Sequence, residues 1–229
     1  MLIFDAHLDL AWNGVEWNRN LELPCTQIRE FEKHFQDIVP GDCTVSFPEM
    51  HKGRIGLCVA TLLPRLHRKQ KELTFYQSRE AAHGSALGQL GYYRALVAKG
   101  VLVEIPSRAK LQQEYDRWQA VIAANPNDTS KNPPIGFILS MEGAPPILSP
   151  SQVQQWYDWG LRIVGPGAPS KEGHQGLPLR AGTCVWVKQK KVRCVVLYIS
   201  SVLIPVCACA NSIRCTGGRR DEGGRGRVS

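Results

Sequence analysis

Short apolar segments alternate with segments of helical periodicity along the first 166 residues. The apolar segments are rich in branched side chains and are bounded by Pro, Gly or charged residues, as is typical of buried strands. They predict strands at residues 2–9, 55–63, 101–105, 135–141 and 161–165. The periodic segments predict helices at residues 28–38, 74–99, 107–122 and 149–160. This alternation predicts an α/β fold built on a parallel sheet.

Two of the predicted helices begin with the spacing of a capping box. Thr74 and Gln77 stand three residues apart at the start of one helix. Ser149 and Gln152 do the same in the last helix, where Pro150 occupies the first helical position. A hydroxyl at the first position and an amide at the fourth satisfy free N–H groups of the first turn. We therefore predict that these helices start at Thr74 and Ser149.

Composition changes near residue 167. The 229 residues carry a formal net charge of +8, but residues 1–169 hold 17 basic and 17 acidic side chains, whereas residues 170–229 hold 11 and 3. Five of the eight cysteines also lie in this last part. We therefore expect a folded domain at 1–166 and a basic, cysteine-rich tail at 167–229. Because the domain has no basic excess, we expect no nucleic-acid partner.

The remaining cysteines and the first residues bear on the compartment. Cys25, Cys43 and Cys58 are widely spaced, which indicates buried or free thiols in a reducing compartment and not a disulfide framework. The first residues contain no basic segment followed by a long apolar one, so we expect no secretory signal. Both observations favour a cytoplasmic location.

Three side chains at strand ends are candidate metal ligands. His7 and Asp9 are two residues apart at the end of the first strand, so they share a side of it, with Cα atoms roughly 6.5–7 Å apart. Across that span an imidazole and a carboxylate can converge on one cation. Asp5 lies on the same side and is expected to orient the imidazole. Glu142 ends a buried strand and would share the same edge of the sheet. Taken alone, residues 5–9 also suit a solvated strand end, and Glu142 also suits an acidic residue at the entry to a helix.

Three stretches in this order resemble a known family. Residues 4–13 (FDAHLDLAWN) are similar to the start of the membrane, or renal-type, dipeptidases, which form peptidase family M19 among the amidohydrolase-like metal-dependent hydrolases. Residues 138–143 (ILSMEG) resemble the strand that delivers the bridging glutamate of that family. Residues 159–166 (WGLRIVGP) resemble the strand that follows it. The resemblance covers residues 2–166.

This resemblance implies a (β/α)8 barrel of the TIM type and a site with two zinc ions. His7 and Asp9 would bind the first zinc, and Glu142 would bridge both. A metal-bound hydroxide would attack the peptide bond of a dipeptide substrate while the zinc ions polarise its carbonyl group. The five predicted strands are about half of those a barrel needs, so we expect only the N-terminal half of this fold.

The sequence departs from the family after residue 166. The resemblance implies a substrate-contacting histidine there, then two histidines for the second zinc and an arginine and an aspartate beyond. Here Gly167-Ala168-Pro169-Ser170 follows, and His174 is the last histidine, in surroundings unlike those motifs. The second zinc site is therefore incomplete.

The tail has three possible interpretations: a membrane anchor, a nucleic-acid-binding segment, or out-of-frame translation joined to a truncated dipeptidase gene. Its segment 194–210 is uncharged over 17 residues but contains Pro205 and is barely long enough to span a membrane, so we expect no membrane contact through it. The change in charge and cysteine content where the family pattern stops favours the third interpretation.

Two hypotheses for function follow. The first is a zinc-dependent dipeptidase, truncated, whose activity depends on whether half of the site suffices. The alternative is a non-catalytic, membrane-associated or binding protein on a degenerate α/β fold, with the basic tail as an anchor. Zinc content and dipeptide hydrolysis distinguish them.

A half-barrel is expected to self-associate. It exposes an unpaired strand edge and an open apolar interior, both of which favour contact with other chains. Sedimentation velocity should therefore show oligomers or aggregates. A compact monomer that melts cooperatively would contradict this prediction.

Overall fold

Five parallel strands form one sheet in the computed structural model, which describes residues 1–35, 41–64 and 76–165 and the backbone of 187–189 and 192–194. The strands of the sheet are β1 (Ile3–Leu8), β2 (Ile55–Leu62), β3 (Leu102–Glu104), β4 (Ile135–Glu142) and β5 (Ile163–Gly165). The α-helices are α1 (Leu10–Val15), α2 (Cys25–Glu32), α3 (Phe47–Lys52), α4 (Arg79–Ala98), α5 (Arg108–Ala124) and α6 (Gln152–Asp158). Two short 3-10 helices lie at Lys33–Phe35 and Thr129–Lys131.

The sheet has β2 at its centre, between β1 and β4. On the opposite edge of β4, β3 pairs with its first residues, Ile135 to Phe137, and β5 pairs with its last, Ser140 to Glu142. Every pairing in this sheet is parallel. The parallel sheet of an α/β fold is therefore confirmed, and its arrangement is consistent with part of a barrel, whereas the TIM barrel itself stays a prediction.

The tail lies mostly outside the described residues. Its described part is an antiparallel pair of short strands, β6 (Val187–Gln189) and β7 (Val192–Cys194). His174 and the apolar segment 195–210 are not among the described residues, so the interpretations of the tail and the boundary near residue 167 stay predictions. In the described part of the chain, no helix has the length and apolar character needed to cross a membrane.

The longest helix, α4, begins five residues later than the capping box at Thr74 predicts. It starts at Arg79 because Ser78 is its N-cap, and the Ser78 hydroxyl accepts a hydrogen bond from the backbone N–H of Ala81 at 3.1 Å. Ser78 satisfies the same kind of free N–H group that Thr74 was expected to satisfy. The predicted start at Thr74 is therefore wrong, whereas the end of the helix at Lys99 and Gly100 agrees with the prediction.

The predicted start of the last helix is also too early. Helix α6 begins at Gln152, because Ser149 does not cap it and its hydroxyl instead contacts that of Ser151 at 2.7 Å. The predicted capping box does not form, because the Gln152 side chain accepts a hydrogen bond from the backbone N–H of Leu148 at 2.9 Å and not from that of Ser149. Residues 149–151 form a turn that leads into the helix.

The core lies where helices pack closely on β2 and β4. Every residue of β2 after Ile55 is buried. A Cβ atom at Gly56 would collide with the Trp118 ring of α5, so a glycine there lets the indole pack directly on the strand. In contrast, β1 is exposed, with 39% of Ile3 and 41% of Phe4 accessible to solvent. The exposed edge strand agrees with an open half-barrel.

A partly buried histidine packs against the same indole. The imidazole of His51, in α3, stacks on Trp118 with ring centres 5.8 Å apart and an angle of 19° between the planes. Its Nδ1 is buried without a hydrogen-bond partner. Burial lowers the pKa of His51, because the charged imidazolium is poorly solvated there.

The folded protein should therefore lose stability in mild acid because of His51. Its pKa is lower in the folded chain than in the unfolded chain, so the unfolded chain takes up the proton first as the pH falls below about 6.5. We expect His51→Phe to keep the ring contact. When the pH is lowered from 7.5 to 5, the free energy of unfolding of this variant should fall by about 1 kcal/mol less than that of the parent. Urea unfolding at both pH values measures this, and an equal loss of stability in parent and variant would contradict it.

Candidate metal site

The register of the sheet brings two distant residues to one edge. Strand β1 runs parallel to β2 until Leu8 stands opposite Ala60, and β4 runs parallel to β2 until Met141 stands opposite Leu62. His7 and Glu142 therefore both lie at the carboxyl ends of their strands. His7 Nε2 is 3.4 Å from Glu142 Oε2.

Asp9 completes the group because it does not cap the helix that it precedes. It is the N-cap residue of α1, a position where an aspartate usually binds the first free N–H groups, but its carboxylate makes no such hydrogen bond. Instead Asp9 Oδ1 lies 3.4 Å from His7 Nε2. This oxygen is buried and has no hydrogen-bond partner. A buried carboxylate oxygen in that state is suited to binding a cation.

The charges in the group stabilise a protonated imidazole. Contacts with the side chain of Asp9, and then with that of Glu142, raise the pKa of His7 from 6.5 to about 10, against the opposing effect of burial. Without a metal, the imidazolium is the cation that partly balances two carboxylates. A metal ion at this place takes the neutral imidazole as its ligand, so it replaces that proton.

Asp5 does not play the role expected of it. Its carboxylate accepts a hydrogen bond from the backbone N–H of His7 at 2.9 Å, and in this position it fixes the strand end. The expectation that Asp5 orients the imidazole ring is therefore wrong. Residues two apart on a strand share a face, but the short aspartate side chain reaches the neighbouring backbone first.

The backbone of Asp9 is held by a network of buried polar side chains. Asn13, one helical turn further on, donates to the Asp9 carbonyl from both its backbone N–H (3.0 Å) and its side-chain amide (2.9 Å). The amide oxygen of Asn13 accepts a hydrogen bond from Arg19 at 2.6 Å. Arg19 is itself paired with Glu32 of α2, with Nε 2.5 Å from the carboxylate, and both side chains are buried. The network fixes the turn that presents the Asp9 carboxylate.

The spacing of the three side chains suits a metal ion. Their ligand atoms all lie within 4.8 Å of one another. Two ligand atoms at the usual distance from a tetrahedral zinc are about 3.3 Å apart, which matches the two measured separations of 3.4 Å from His7 Nε2. An imidazole nitrogen and two carboxylate oxygens are also ligands that zinc accepts. Within 1–35, 41–64 and 76–165, no second group of at least three such side chains is present.

Sequence reasoning selected the ligand candidates but missed their support. The structure brings His7, Asp9 and Glu142 together, and their binding of a metal stays a prediction. Reasoning from the sequence did not identify Arg19 or Glu32, because a buried ion pair in an irregular segment has no periodic signal. The contact of Asn13 was accessible in principle, since the residue lies four positions after Asp9 on a helix.

Comparisons with known proteins give partial similarities. No family model matches the chain, and no curated protein does. Among solved structures, the chain is similar to the dipeptidase AC, a metallo peptidase of family M19 (18% identity, TM-score 0.46, 73% of this chain and 43% of that one). It is also similar to a metallo peptidase from Rhodobacter sphaeroides liganded with a phosphinate mimic of the dipeptide L-Ala-D-Ala (16% identity, TM-score 0.44, 73% of this chain and 45% of that one). A third similarity is to the probable dipeptidase PvdM from Pseudomonas aeruginosa (13% identity, TM-score 0.49, 74% of this chain and 35% of that one). The chain spans less than half the length of these structures.

The Asn13 network should control metal affinity. Asn13→Ala removes the amide that fixes the Asp9 carbonyl, so we expect the affinity for zinc to fall about 10-fold while the three ligands remain. Asn20→Ala makes the same change at an exposed amide that contacts only the backbone N–H of Glu22 in the described structure, and should leave affinity unchanged. Competition with a chromophoric zinc chelator measures both. Equal affinities for the two variants would contradict the role of Asn13.

Proposed function

We propose that the chain binds one zinc ion through His7, Asp9 and Glu142, and that this site hydrolyses dipeptides. The observation that carries the zinc site is the convergence of three ligand atoms at one sheet edge, with the buried Asp9 Oδ1 lacking a hydrogen-bond partner. In parallel α/β sheets, this edge is where reactive groups collect. Other edges of the fold carry no comparable group within the described residues.

The three side chains differ in exposure, and this suggests different roles. Asp9 is the least exposed, at 25%, whereas His7 and Glu142 are each 47% exposed. Asp9 would bind the ion through its buried Oδ1, and Glu142 would bind it from the solvent side, where a substrate would arrive. When bound here, zinc supplies Lewis acidity toward a carbonyl group and lowers the pKa of water.

Sequence motifs support the choice of a dipeptide as substrate. The three stretches that resemble the M19 dipeptidases, at residues 4–13, 138–143 and 159–166, include β1, the end of β4 and β5. Their ends are neighbours in the fold, because Glu142 pairs with Gly165 and the backbone N–H of Gly143 donates to the Gly165 carbonyl at 3.0 Å. Motifs separated in the sequence thus converge around one small volume.

The proposal is limited to one zinc ion. The described residues provide one group of three ligands, which is the part of a two-zinc site that His7, Asp9 and Glu142 would form. One ion with three protein ligands leaves a coordination position open, as in catalytic zinc sites. Zinc content of the purified chain therefore tests the site independently of any activity.

Zinc content and dipeptide hydrolysis should both depend on Glu142. We expect the parent to hold about one zinc per chain, and Glu142→Gln to lower zinc occupancy and reduce hydrolysis about 100-fold or more, because a neutral amide is a poor zinc ligand. Elemental analysis and a dipeptide hydrolysis assay with and without a chelator measure these effects. Glu49→Gln makes the same change at a partly exposed glutamate of α3, which pairs with Lys52, and should alter neither.

Each result selects one interpretation. Zinc binding with chelator-sensitive hydrolysis supports the whole proposal. Zinc binding without hydrolysis would retain the metal site and reject the dipeptidase activity. A parent chain that binds no zinc would reject both and favour the non-catalytic binding protein.

A further inference from the structure

Two buried thiols are in contact in the segment between β1 and β2. Cys25 is the first residue of α2, and Cys43 lies in the loop that precedes α3. Their Sγ atoms are 3.9 Å apart, and the residues are 5% and 0% exposed. Eighteen positions separate them, so the sequence gives no indication of this contact. In the structure both are free cysteines.

We propose that Cys25 and Cys43 form a reversible disulfide with a low-molecular-weight disulfide as the oxidant. This modification site is independent of the metal site and of the proposed activity. It goes beyond the expectation that Cys25, Cys43 and Cys58 are buried or free thiols.

The two backbone segments are already held in place. The guanidinium of Arg29, in α2, donates to the backbone carbonyl of Cys43 at 2.7 Å. Next to it, the Asp42 carboxylate lies 3.4 Å from Arg19. Because these contacts fix Cys43 against α2, the thiols can reach the bonding distance of about 2.05 Å by side-chain rotation and small backbone shifts.

The local contacts also favour a pair over two independent thiols. Cys43 Sγ donates to the Val45 carbonyl at 3.3 Å as well as contacting Cys25. No carboxylate, hydroxyl or imidazole is recorded within hydrogen-bond distance of either sulfur in the described structure. Each sulfur thus has the other as its nearest reactive partner there.

The chemistry consists of two thiol–disulfide exchanges. Cys25 is the more exposed thiol, so its thiolate attacks one sulfur of the small disulfide, forms a mixed disulfide and releases one small thiolate. The Cys43 thiolate then attacks Cys25 Sγ and displaces the second small thiolate. Two cysteine thiols lose two protons and two electrons, and the small disulfide is reduced to two thiols that take up those protons. Burial makes the reaction slow, because each sulfur must be transiently exposed.

Peptide mapping of the oxidised chain tests the pairing. The full chain is reduced, desalted and incubated with oxidised glutathione. It is then unfolded in a denaturant that contains an alkylating reagent, which blocks the remaining free thiols, and digested with trypsin. We expect tryptic peptide 20–29 to be linked to 34–52, and the link to disappear on incubation with dithiothreitol. The Cys58→Ala variant removes the third buried thiol of the domain and should keep the link, whereas Cys43→Ala should lose it.

Thermal unfolding provides a second readout that does not depend on a variant. A bond between these positions restricts the unfolded chain, so Tm of the oxidised parent should exceed that of the reduced parent by roughly 5 to 10 °C. The proposal is overturned if Cys25 and Cys43 stay open to alkylation after oxidation. It is equally overturned if they link to cysteines of the tail instead of to each other.

Discussion

The parallel pairing of β1, β2 and β4 is the constraint on which the site depends. It aligns the ends of β1 and β4 across β2, so that His7 and Glu142 meet although most of the domain lies between them in sequence. The period of a strand is two residues, so a slip of one position would turn His7 to the opposite face. The burial of β2 and β4 fixes this register, because both strands pack apolar side chains on each face. The core therefore determines the geometry of the polar edge.

The segment between β1 and β2 supports that edge from outside the sheet. Asn13, Arg19 and Glu32 form a chain of contacts from the Asp9 carbonyl to α2. Removing one partner of a buried ion pair typically costs about 3–5 kcal/mol, since the other charge stays buried. Arg19 and Glu32 thus hold α2 against the turn that follows Asn13. The contact between Cys25 and Cys43 lies in this segment, at the end of α2 opposite Glu32.

The exposure of β1 has a structural and a chemical consequence. Its side chains are more accessible than those of β2 or β4, and among the described strands it pairs only with β2. An exposed edge strand favours association with other chains. The same openness leaves His7 half exposed and accessible to a ligand. A fold that covered both edges of the sheet would bury this strand.

Local patterns along the chain were sufficient to predict the alternation of strands and helices and the residue types at the strand ends. The apolar runs at 55–63 and 135–141 are unambiguous, because a strand that is buried on both faces consists almost entirely of apolar residues. Ser107 was correctly identified as the start of α5. Local signals failed where two hydroxyl residues compete to cap one helix, as Ser78 does with Thr74. The contacts of Arg19 with Glu32 and of Cys25 with Cys43 are visible only in the folded chain. Such contacts depend on register and on the path of irregular segments, which are set by packing across the whole domain and leave no periodic trace in the chain.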